Sequence, residues 1–137
     1  MEIQNKTTRL SFPTSRYVLY AVIGFVIWLS GVVLIRILSD SFFENQSALP
    51  LMFGVSLVLG FVIQLISPML VKQPMRDTMI PIAFICGFAL MLDGFAIGFT
   101  DIYSANTEVK VSVGAWLLWT FGTQLLITLF MVNRTNE

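Results

Sequence analysis

The sequence predicts an all-α membrane protein, with four transmembrane helices in an up-down antiparallel bundle and both termini in the cytoplasm. Three observations lead there. Of 137 residues, 56% are hydrophobic and 12% charged, whereas soluble globular chains are about 45–50% apolar and about 25% charged. The apolar residues gather in four runs, each near the about 20 residues that carry a helix across a hydrocarbon core of about 30 Å. The charges, Lys+Arg 8 against Asp+Glu 8, fall mostly between those runs, with the basic ones in alternate connections.

The predicted layout is an N-terminal arm over 1–16, a single transmembrane domain over 17–132 and a tail over 133–137. The first span, Tyr17 to Leu38, follows Lys6, Arg9 and Arg16 as a signal peptide would. Its apolar stretch is longer than the about 7–15 residues of such a segment, and Ser39, Asp40, Ser41, Phe42 and Phe43 offer no small-x-small cleavage site. It therefore reads as a retained helix. The second span, Leu49 to Val71, has Pro50 near its start, where a missing N–H costs little, and Pro74 in the turn beyond its end. The third, Met79 to Phe99, has Pro81 in its first turn. The fourth runs from Val111 to Val132.

Placement of Lys and Arg near span ends sets orientation. Lys6, Arg9 and Arg16, then Lys72 and Arg76, then Arg134 fall on one side, which the rule makes cytoplasmic. The other side has Lys110 with Asp40, Glu44, Asp101 and Glu108. The expected location is the plasma or inner membrane, N-in and C-in, with short connections that make successive helices antiparallel neighbours.

Inside a membrane, the buried faces are marked by small and polar residues. At about 100° per residue, Cys86, Ala89, Asp93, Ala96 and Thr100 form one stripe of the third span. Gly87, Gly94 and Gly98 form a second stripe suited to packing on another helix, while Phe84, Phe88, Met91, Leu92, Phe95 and Phe99 are left for lipid. The fourth span has the stripe Thr120, Gln124 and Thr128, with Gly114, Ala115 and Gly122 permitting close approach elsewhere. Gln64 in the second span matches Gln124 in depth, so the two are expected to hydrogen-bond across helices, a bond of about 0.6 kcal/mol. Trp116 reads as an interfacial anchor and Trp119, deeper by helical rise, as a packed side chain. Cys86, a lone thiol, reads as inert packing.

Arg36 and Asp93 are the two charges within spans, each costing about 2.5–3.5 kcal/mol at a helix centre unless partnered. Their levels differ by about 7 Å along the helix axis, and side chains lean toward a helix N-terminus, so a buried Arg36–Asp93 pair is geometrically open. The alternatives are that Arg36 reaches the interface or pairs with Asp40, that Asp93 is a proton or cation site in a polar cavity, or that the pair forms a pocket with Trp28, Trp116 and Trp119 for a lipid headgroup or small amphiphile.

There is no histidine and one cysteine. His-ligated haem or zinc, His-dependent triads and a CxxC pair are thereby excluded within the chain. No catalytic residue, metal or cofactor is expected, and the balanced charge gives no basic patch for nucleic acid. The expected partners are the bilayer and either a second copy or a membrane complex that the chain serves as accessory subunit.

Ile27-Trp28-Leu29 with Arg36, then Leu92-Asp93, then Ala115-Trp116-Leu117-Leu118-Trp119 resemble a bacterial family of small four-helix integral membrane proteins, a domain of unknown function. The resemblance implies a multi-pass plasma-membrane protein with Trp28, Arg36, Asp93, Trp116 and Trp119 as shared signature, and it implies no reaction. Two function classes follow from the residues: a non-enzymatic membrane protein whose Arg36 and Asp93 are structural, or a small ion-coupled transporter, dimeric, with Asp93 as the coupling site.

Overall fold

The computed structural model describes residues 14–38, 42–45 and 47–135. All secondary structure there is helical: α1 (Thr14–Leu38), α2 (Leu49–Val71), α3 (Met79–Phe99) and α4 (Thr107–Arg134), with a 3-10 turn at Met75–Asp77. Each of the four α-helices is long and apolar enough to cross a membrane. Lys6 and Arg9 of the arm, the Ser39-Asp40-Ser41 segment and the last two residues of the tail lie outside the described residues.

α2 and α3 coincide with the predicted spans, whereas α1 and α4 extend beyond theirs. Hydropathy marks the apolar part of a helix, not its end. At α4 the start is fixed by Asn106, whose side-chain oxygen accepts the Glu108 N–H at 2.9 Å, so the polar turn Thr107-Glu108-Val109-Lys110 is already helical. α2 continues through Pro68. A proline there supplies no N–H to the carbonyl four residues back, which is that of Gln64; the Ser67 hydroxyl donates to this carbonyl instead, at 2.8 Å. The helix then ends at Lys72, a left-handed residue (φ 52°) whose N–H, like that of Gln73, bonds to the Pro68 carbonyl. Pro74, extended, cannot continue the helix.

The packing pairs are α1 with α3, α3 with α4 and α4 with α2, and the 3-10 turn lies against α4 and α3. Across the bundle the order is therefore α1, α3, α4, α2. Of these pairs only α3 and α4 are consecutive in sequence, so short connections do not by themselves choose packing partners. Two apolar clusters hold the helices together. One joins Val32 and Ile35, Met52, Ala96, and Val109, Val113, Trp116 and Leu117 with Phe43 and Tyr103 from the connections. The other joins Tyr20, Val71, Ile82, Ile85 and Cys86.

The stripe Cys86, Ala89, Asp93 and Ala96 is buried, as its spacing predicts. Phe84, Met91, Phe95 and Phe99 are exposed as expected, while Phe88 and Leu92 are half-buried. The second stripe is a correction. Gly87, Gly94 and Gly98 are exposed and have open space where a Cβ would lie, because small residues permit close approach without compelling it. The glycines at helix contacts are Gly24, whose added Cβ would sit 3.2 Å from the Ile85 carbonyl and from the Phe88 ring, Gly60, 3.2 Å from Gln124 Oε1, and Gly114, 3.6 Å from Ile97.

Candidate functional site

α1 and α2 flank the central α3–α4 pair, and a groove of about 220 Å³ runs between the flanking helices with α3 and α4 as its floor. Its walls are apolar, from Ile23, Ile27, Leu59, Ile63 and Leu70. Ser56, Asp93, Thr120 and Gln124 also belong to its lining, as do Trp28, Trp116 and Phe121, but the surface it presents is almost entirely apolar.

Asp93 is 4% exposed. One carboxylate oxygen, Oδ1, accepts a hydrogen bond from the Tyr103 hydroxyl. Tyr103 is itself buried, and it belongs to the connection between α3 and α4. That connection is folded back by its own ends. The Thr100 hydroxyl donates to the Ala96 carbonyl at 2.7 Å, Asp101 pairs with Lys110 of α4 at 2.7 Å, and Asn106 caps α4. Burial, then the hydrogen bond to Asp93 and the carboxylate's charge, push the Tyr103 phenol above its usual range. The Trp28 indole N–H faces the Asp93–Tyr103 pair without completing a hydrogen bond to either.

The Arg36–Asp93 ion pair that the sequence leaves open is not among the ion pairs of the described residues. Among the described residues the ion pairs are Arg76–Asp77 and Lys110–Asp101, and Arg36 lies on the exposed face of α1. The carboxylate has instead a phenol from the connection, which comparing depths on two spans could not reveal. Asp40, the other expected partner of Arg36, is outside the described residues.

The glutamine pair forms as its matched depth predicts. Gln124 Nε2 donates to Gln64 Oε1 at 3.0 Å, and the Thr128 hydroxyl lies 2.6 Å from the same oxygen. Gln64 Nε2 in turn reaches the Thr78 hydroxyl and the Met75 sulfur, each at 3.3 Å. Gln64 thus ties α2 to α4 and to the turn before α3, behind the groove rather than in it. Gln124 is shared: its nitrogen serves this network, while Oε1, beside Gly60, has no donor.

The two outer tryptophans exchange their expected roles. Trp116 is buried, its N–H donating to the Met52 carbonyl at 3.2 Å. Trp119 is 41% exposed, although its N–H reaches the Phe53 carbonyl at 3.2 Å. Both therefore staple α4 to the first turns of α2, and only Trp116 lines the groove. Cys86 lies in its wall, buried and reduced. Sequence reasoning missed Tyr103 and Gly31. Tyr103 alone had a signal, an aromatic in a short polar connection following a charged stripe.

No group of His, Cys, Asp and Glu able to hold a metal ion occurs among the described residues. Comparison of the chain with protein-family models, with curated proteins and with solved structures finds no match in any of the three.

Proposed function

We propose that the chain is a non-enzymatic, multi-pass protein of the plasma membrane, N-in and C-in, that takes up an apolar or amphiphilic ligand from the bilayer between α1 and α2. The groove supports this reading most directly. Lipid is the solvent on the outward faces of both helices, so a ligand already in the membrane can enter sideways without crossing water. Apolar walls give such a ligand no advantage over lipid in hydrophobic terms; selection falls to the few polar groups. The basic residues at one set of span ends support the orientation.

A single-chain bromoalkane tests the reading, since bromine quenches indole fluorescence at contact. In a Trp119→Phe background, bromododecane is expected to quench Trp28 and Trp116 saturably. Gly31→Leu, which places a side chain into open groove space, is expected to abolish the saturable part. Equal quenching in both proteins would exclude the groove as the site. Asp93 in the wall also favours a second reading, ion-coupled transport through that carboxylate. Its requirement is proteoliposome flux that follows a proton gradient and stops in Asp93→Asn.

A further inference from the structure

We infer that the groove selects a cation with N–H donors on a single apolar chain, a long-chain primary alkylammonium, with its head at Asp93 and its chain along α2 toward Val71. The inference rests on the groove reading above and adds the chemical class of the ligand.

Three observations carry it. First, the groove is almost entirely apolar, Asp93 is the one acidic residue in its lining, and the other polar groups there offer almost no free donor. The Ser56 hydroxyl donates to the Phe53 carbonyl and the Thr120 hydroxyl to the Trp116 carbonyl, each at 2.8 Å, so neither has a donor left for a ligand. Gln124 is 94% buried by its 6% exposure and its Oε1 has no donor; the Trp116 N–H is committed to Met52. Only the Trp28 N–H lacks an acceptor, and it is turned toward the Asp93–Tyr103 pair. An ammonium group has three donors and no acceptor, which is the complement of this inventory. A carboxylate or phosphate head would set acceptors against acceptors.

Second, Asp93 has no ion-pair partner among the described residues. An ionised carboxylate away from water is stable only with countercharge and hydrogen bonds, and Tyr103 supplies a hydrogen bond without charge. Trp28 and Trp116 line the same end of the groove, and indole faces attract cations. Third, the groove is long for its volume of about 220 Å³. On α2 its lining extends from Ser56 to Val71, about 22 Å at the rise of an α-helix, which suits one extended chain and not the two chains of a bilayer phospholipid.

The test uses the full chain in phosphatidylcholine nanodiscs at neutral pH, with dodecylamine, dodecanol and dodecanoate competing against bromododecane. The amine is expected to displace the quencher at about tenfold lower concentration than the alcohol, the equivalent of one charge-assisted contact, with dodecanoate weakest. Asp93→Asn is expected to bring amine and alcohol to about the same value. Dodecanol or dodecanoate matching the amine overturns the inference while leaving the groove reading intact. Bromododecane quenching that is unsaturable, or that survives Gly31→Leu, overturns both. If Asp93→Asn fails to fold, the order of the three probes on the parent protein decides alone.

Discussion

Asp93 shows how one buried charge organises its surroundings. Its cost in a membrane interior is met by a phenol that approaches from outside the helices, and the connection between α3 and α4 is pinned at both ends to deliver it. Tyr103→Phe keeps the ring and removes the donor. A hydrogen bond to a charged group is worth about 1.5–3 kcal/mol, so thermal unfolding in detergent should show a loss of that order; a loss below about 0.5 kcal/mol would mean the carboxyl is satisfied elsewhere. The raised phenol also has a pH consequence. Folded Tyr103 holds its proton past the usual value of about 10, whereas the unfolded chain releases it there. Its stabilising effect is therefore complete below about pH 10 and is lost as pH rises further. The melting temperature of the parent should fall more steeply above that pH than that of Tyr103→Phe, and parallel curves would remove Tyr103 from the account. At this scale Cys86, Asp93, Gln64 and Gln124 were legible in the sequence, because polar residues within apolar spans stand out. Tyr103 was not, since a residue in a connection has no period from which to read its direction.

Between helices, the contacts turn on which small residues meet a neighbour. Gly24 abuts a backbone carbonyl of α3, which cannot move aside as a flexible side chain can. Gly24→Val should separate α1 from α3 and destabilise the protein by about 1–3 kcal/mol, while Gly94→Val, in open space, should leave the melting temperature of the monomer unchanged or slightly raised. Equal effects at the two sites would contradict the observed packing. The glycine faces were misread for a physical reason. Helical spacing says which residues share a face, and two faces of α3 were both rich in small residues. Only the position of α1 selects between them. Trp116 and Trp119 follow the same logic: three residues apart on α4, they lie on adjacent faces, and the placement of α2 decides which is buried.

For the molecule as a whole, the order α1, α3, α4, α2 is what opens the groove. Had consecutive helices packed in turn, α1 and α2 would have met and closed it. The proposed orientation belongs to this scale as well. Single cysteines in a Cys86→Ala background should label from the cell exterior at Ser47 or Asn106 and only after permeabilisation at Asp77 or Arg134; the reverse pattern would invert the topology, and mixed labelling would refute a single orientation. The number of spans, the limits of α2 and α3, the buried stripe of α3 and the glutamine bridge were all determined by sequence. Each depends on distances along one helix or on depth in the bilayer, and both are set by the fixed rise and rotation of the α-helix. The partner of Asp93, the choice among glycine faces, the burial of Trp116 and the groove itself were decided by tertiary structure. These depend on which helices lie side by side, and in a lipid solvent nearly every face of an apolar helix is acceptable until shape and a few hydrogen bonds choose one.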